Sequence, residues 1–160
     1  MKKVLIVIVG LTSLFFSTIS LSEAQDIRIV NITFPGPAKP KTQVDKKHNW
    51  YTNHFSVSSQ YKMEVVLKAN IPPNASFQVG TYAHFGGQLV LLGDTRVGRA
   101  QSSDNIIATY NIFPSSANYY GQCQFVVIAD SYNEILETDE RESSNKWIFQ
   151  ATIHPPGATF

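Results

Sequence analysis

Apolar and polar residues alternate with a period of two along most of this chain, which is the period of a β-strand. Between Tyr61 and Asn70, Met63, Val65, Leu67 and Ala69 alternate with Lys62, Glu64, Val66 and Lys68. Over 77–85, Phe77, Val79, Thr81, Ala83 and Phe85 share one face. Over 146–153, Trp147, Phe149, Ala151 and Ile153 oppose Lys146, Ile148, Gln150 and Thr152. Stretches 26–34, 88–97, 105–113 and 122–130 complete seven predicted strands. After the first 24 residues, no segment holds the 3.6-residue period of an amphipathic helix for three turns.

Turn residues punctuate these runs. Pro72-Pro73-Asn74, Gly86-Gly87, Gly93-Asp94 and Pro114-Ser115-Ser116 fall between or near the strands, as turn chemistry requires. Pro35, Pro37 and Pro40 make the stretch after the first strand extended but unable to pair in a sheet. Seven short antiparallel strands predict an all-β, immunoglobulin-like sandwich of two sheets. Its expected core includes Met63, Val65, Leu67, Phe125, Val127, Trp147 and Phe149.

The N-terminus follows a different pattern. Lys2 and Lys3 precede a nearly unbroken apolar run from Val4 to Phe16, and Ser22-Glu23-Ala24 offers small residues where a signal peptidase reads. This is the three-part layout of a secretory signal peptide. The run is shorter than the roughly 20 residues that span a bilayer, and no Cys follows it to carry a lipid. We expect residues 1–24 to be a signal peptide and 25–160 a single sandwich domain, exported to the periplasm, the cell surface or the medium. A second long apolar segment is absent from the sequence, so no membrane span is expected in the mature chain.

Composition narrows the classes. The chain has 160 residues, 16% of them charged, with a formal net charge of +1. Cleavage removes two lysines and one glutamate and leaves 136 residues with a net charge of zero, too balanced for a nucleic-acid binder. A chain of that size buries about two thirds of its unfolded surface and needs no disulfide staple. One cysteine, Cys123, excludes an internal disulfide and cysteine-rich metal sites. It alternates with Phe125, Val127 and Ala129, the spacing of a small core hydrophobe.

The segment 121–130, Gly-Gln-Cys-Gln-Phe-Val-Val-Ile-Ala-Asp, leads into Asn133-Glu134-Ile135-Leu136-Glu137-Thr138-Asp139-Glu140. It resembles the final hairpin of the CARDB family, the cell-adhesion-related domain found in bacteria, and 80–97 resembles another hairpin of that family. The resemblance extends over about 26–153 and is distinctive over about 121–149. Two departures stand out. Ser144-Asn145 replaces a closing Asn pair, after the extra residues Arg141 to Ser143, and Cys123 stands where the family commonly has an aromatic residue. The resemblance implies a non-catalytic module of exported and surface proteins, and hence binding or structure more than chemistry. It also implies a bacterial host, in which the triplets Asn31-Ile32-Thr33 and Asn74-Ala75-Ser76 would be accidental matches to the N-glycosylation signal.

Two charged segments remain. Glu134, Glu137, Asp139, Glu140 and Glu142 fall within nine positions, offset only by Arg141. Such oxygen-rich loops can hold calcium, but the spacing is not that of an EF-hand. We favour the other reading, in which Asn133 supports a tight turn and the carboxylates cap backbone donors or face solvent. Lys39, Lys41, Lys46 and Lys47 are followed by His48, Asn49, Trp50, Tyr51, His54 and Phe55. Basic residues beside aromatics grip anionic polymers, and flat rings hold sugars. The competing reading has Trp50 and Phe55 plugging one end of the sandwich while the lysines stay solvated. The long irregular stretch between the first two strands is nevertheless where a ligand surface is expected, with Lys46, Lys47, His48, Trp50, Tyr51 and His54 as its contact residues. The partner class is a protein or a surface polysaccharide.

Catalytic signatures are poor. The four histidines form no HExxH motif, no Ser lies in a GxSxG elbow, and the glycines form no phosphate-binding loop. The sequence therefore points to a non-enzymatic module without a cofactor or resident metal. The alternatives are a structural or assembly subunit of an envelope complex, a calcium-binding adhesion module and an unrecognised hydrolase. Val126 and Ile128, facing away from Phe125 and Val127, would give an assembly subunit an apolar outer face.

Overall fold

The computed structural model describes residues 26–47, 50–72, 74–98, 105–135 and 145–160. The expected signal peptide, residues 1–24, lies outside them. Among the described residues nine strands follow in order: β1 (Asp26–Thr33), β2 (Lys41–Asp45), β3 (Trp50–Ser56), β4 (Tyr61–Asn70), β5 (Ser76–Phe85), β6 (Gln88–Gly98), β7 (Ile106–Ile112), β8 (Gly121–Ala129) and β9 (Lys146–His154). They form a β-sandwich of a three-stranded sheet, β1-β4-β7, and a six-stranded sheet, β2-β3-β9-β8-β5-β6.

All seven strands predicted from alternation are present, their ends within one residue of expectation. The segment 41–56 departs from expectation, because it is not an irregular loop but the hairpin β2–β3. The physical reason lies in its exposure. Every residue of β2 is exposed and only Phe55 of β3 is buried, so neither strand carries an apolar face that a sequence period could reveal. β3 also runs parallel to β9, so the sandwich is not wholly antiparallel.

The inner faces interdigitate as the alternation requires. Met63, Val65 and Leu67 of β4 and Phe125 and Val127 of β8 are fully buried. Phe149 is partly buried against them. Trp147 departs from the expected core, at 38% exposed. Along β9 burial deepens from Trp147 through Phe149 to Ala151 and Ile153. Three strands cannot cover six, and Trp147 sits at the uncovered end of its strand.

A ring cluster ties the β2–β3 hairpin to this core. Phe55 stacks on Phe125 at 4.7 Å and meets Tyr61 edge-on at 5.0 Å and Phe34 at 5.7 Å. Between the sheets, the buried Thr81 hydroxyl lies 2.7 Å from the Tyr110 hydroxyl and 3.2 Å from Met63 Sδ. Burial pushes the Tyr110 phenol well above its usual range, so it stays protonated and can donate to Thr81. At the other side β6 closes onto β7. A bulge between Thr81 and Tyr82 shifts the register, the Phe113 N–H donates to the Leu92 carbonyl at 2.9 Å, and a Cβ on Gly93 would meet the Asn111 carbonyl oxygen at 2.1 Å. Only glycine permits that approach.

Candidate functional site

The candidate surface is the tip of the β2–β3 hairpin. In its antiparallel register Asp45 opposes Trp50, Val44 opposes Tyr51 and Lys41 opposes His54. The Asp45 carboxylate accepts from the Lys47 N–H at 2.9 Å, an Asx-type turn that sets Lys46 and Lys47 at the exposed bend. Lower down, the Thr42 hydroxyl donates to Asn53 Oδ1 at 2.8 Å and stiffens the ladder.

Successive side chains on a strand point to opposite faces. Trp50 and Tyr51 therefore present rings on the two sides of one edge of the sheet, and both are exposed, at 62% and 59%. Val44, beside Tyr51, is exposed as well. The three-stranded sheet does not reach this far, so neither ring is plugged into the sandwich. Phe55, five residues along the strand from Trp50, is the ring that enters the core. Lys46, Lys47, Trp50 and Tyr51 thus come together, while His48 lies outside the described residues.

His54 is drawn away from them. Its Nδ1 lies 2.8 Å from Nε2 of His154, with the rings stacked at 5.1 Å. Phe160 stacks on His154 at 4.1 Å, and its carbonyl accepts from Lys41 Nζ. Burial, then the charge of His154, then that of Lys41 hold His54 below the usual imidazole range. Its Nε2 is buried without a hydrogen-bond partner. A neutral His54 whose Nδ1–H donates to His154 satisfies this geometry, since an unpaired acceptor at Nε2 costs less than an unpaired donor. His54 works as a clamp between β3 and β9. Its partner stands 100 residues away, and nothing local in the sequence pairs them.

The acidic segment begins as an anchored turn. Asp130 and Asn133 take left-handed backbone angles, φ 55° and 52°. The buried Asp130 carboxylate accepts from the N–H groups of Glu134 and Ile135 at 2.8 and 2.9 Å. Glu134 accepts from the Gln78 N–H at 3.1 Å and pairs with the Arg96 guanidinium. Asn133, Asp130 and Glu134 thus act as turn and cap groups. Glu137, Asp139, Glu140 and Glu142 lie outside the described residues. Among the described residues, no three His, Cys, Asp or Glu side chains gather to hold a metal ion, and no helix is long and apolar enough to cross a membrane. Cys123 is buried on the inner face of β8, and burial pushes its thiol up to about 11.

No family model and no curated protein matches this chain. Solved structures do. A crystal structure of a CARDB domain from Pyrococcus furiosus, in complex with di-metal ions, is 18% identical, with 82% of this chain and 94% of that one covered and a TM-score of 0.49. The chain is similar to CARDB domains. A solution structure of the same domain is 17% identical over 82% of this chain and 96% of that one, at a TM-score of 0.46. A β-glucosidase from Listeria innocua, in complex with glucose, is 10% identical over 81% of this chain but 16% of its own, at 0.45. At these identities each is a likeness of fold, and the metals and the glucose belong to those proteins.

Proposed function

We propose that this protein is an exported, non-enzymatic β-sandwich module that binds a surface polymer or a protein partner through the tip of its β2–β3 hairpin. The observation that carries the reading is the placement of Trp50 and Tyr51. Adjacent rings, each about three-fifths exposed, occupy both sides of a sheet edge with Lys46 and Lys47 at the bend between the strands. Exposed aromatics give a large contact area at little conformational cost, and such rings dominate the energetics of recognition. The chemistry elsewhere supports a binding role. His54 is engaged with His154, and the Cys123 thiol is buried and held protonated. Export follows from the basic start, apolar run and small-residue exit of residues 1–24.

The test is binding of the mature chain, 25–160, to a panel of purified surface polysaccharides and to immobilised envelope proteins. The Trp50→Ala, Tyr51→Ala double variant should weaken the captured interaction about thirtyfold or more, as loss of about 2 kcal/mol of contact implies. Its melting temperature should stay within about 2 °C of wild type, because both rings are wet. Unchanged binding in a folded double variant would move the site elsewhere. A large fall in melting temperature would return the rings to a structural role.

A further inference from the structure

The segment after β9 folds back on the sheet. The chain turns at Pro156-Gly157, where Gly157 takes a left-handed φ of 77° and the Ala158 N–H donates to the Pro155 carbonyl at 3.3 Å. This turn lays the Phe160 ring over two rings from adjacent strands, 4.1 Å from His154 of β9 and 5.8 Å from His54 of β3. Lys41 of β2 stands opposite His54 in the ladder, and its ammonium donates to the Phe160 carbonyl. Residues 155–160 thus strap three strands together, with the contact between the two histidines underneath.

That contact suits only a neutral pair. With both rings neutral, His54 Nδ1–H donates to His154 Nε2 across 2.8 Å. A proton added to His154 at Nε2 sets two donors against each other. The bond could then re-form only with the His54 hydrogen moved to its Nε2, which is buried without a partner. A proton added to His54 itself goes to that same Nε2. Every protonated form therefore breaks the bond or buries an unsatisfied donor, and both are costly. The surroundings act in the same direction. Alternation sets Lys41 of β2, Thr52 and Ser56 of β3 and Thr152 of β9 on the same side of the sheet as His54, and of these only Lys41 is charged. Burial, then His154, then Lys41 all oppose a proton on His54.

We propose that the His54–His154 pair is an acid-sensitive latch, which when neutral holds the 155–160 strap closed over β2 and β3 and which opens on protonation. The opening is local. Phe55 stays stacked on Phe125 and the Val57 N–H stays on the His154 carbonyl at 3.1 Å, so β3 remains docked. The strap lifts, Lys41 loses its acceptor, and β2, at the edge of the sheet, keeps only its ladder with β3. Linkage sets the size of the effect. Opening takes up a proton, so from about pH 6.5 down to the lower value of the closed form the open fraction rises about tenfold per pH unit. The same hairpin carries Lys46, Lys47, Trp50 and Tyr51 at its tip, so the latch makes binding there sensitive to acid. That consequence rests on the function proposed above; the latch does not, and it is measured without any ligand.

The test is NMR on the mature chain from about pH 8 to about pH 5, reading the histidine ring nitrogens and amide hydrogen exchange, the latter corrected for its intrinsic pH dependence. The Ala158 amide and the protected amides of β2 should exchange at least about a hundredfold faster than the slowest amides of β8, as a local opening requires. Their opening should increase about tenfold per pH unit through the His54 titration. His54→Phe keeps a ring in the stack but takes no proton, and should abolish that increase. His84→Gln, on β5 two strands from β9, should leave it unchanged. Phe160→Ala, at a position 37% exposed, should uncover the pair and move the His54 titration up toward about 6.5; it carries the test if His54→Phe folds poorly. The latch is overturned if β2 and strap exchange ignores the His54 titration, or if the increase survives in a folded His54→Phe variant. Equal protection in β2 and β8, which means that the domain opens as one unit, overturns it too, as does an unmoved His54 titration in Phe160→Ala.

Discussion

Phe125→Ala tests the packing that holds the candidate surface in place. Phe125 sits in the middle of β8 with no exposed area, stacked on Phe55 at 4.7 Å and tilted against Phe149 at 5.6 Å. Truncation removes a ring and leaves a cavity bounded by β3, β8 and β9, because close-packed neighbours relax only in part. Phe→Ala at a buried site costs about 3–5 kcal/mol, a large share of the roughly 5–15 kcal/mol that holds a domain of this size. At about 3–5 °C per kcal/mol, the melting temperature should fall by about 10–20 °C. Urea denaturation gives the free energy directly, with the midpoint lowered and the slope unchanged. A Phe55→Leu, Phe125→Leu double-mutant cycle should add a coupling of about 0.5–1.5 kcal/mol from the ring pair. A loss under about 1 kcal/mol for Phe125→Ala, or no coupling in the cycle, would refute the argument that these rings pin the hairpin to the core.

Two further outcomes follow from the titrating groups. His54 is held below its ordinary value, so as pH falls the unfolded chain takes up a proton first; stability is complete above about pH 6.5 and declines below it, toward the lower folded value. Thermal melts from about pH 7.5 to about pH 5.5 should show this decline, and His54→Phe, which retains a ring against His154, should flatten it. With its thiol near 11, Cys123 should label at pH 8 roughly a hundredfold more slowly than a free thiol until denaturant is added, and Cys123→Ala should leave binding intact. Rapid labelling of the native protein would show an accessible, reactive thiol.

Alternation in the sequence determined seven strands, the sandwich class and most of the core. Strands that bury one face on a shared interior must carry apolar residues at every second position, as Tyr61–Asn70 does through Tyr61, Met63, Val65 and Leu67. The same rule explains what the sequence concealed. β2 and β3 form an edge hairpin wetted on both faces, so burial imposed no pattern on Lys41–Asp45 or on most of Trp50–Ser56. Trp147 obeys the alternation of β9 yet stands exposed, because how far one sheet extends over another is set by strand order and not by any strand's own residues. Lys46, Lys47, Trp50 and Tyr51 were legible as a cluster because they are contiguous. Their exposure and the removal of His54 to His154 were decided by the tertiary structure, since contacts between residues far apart in the chain exist only once the strands are placed side by side.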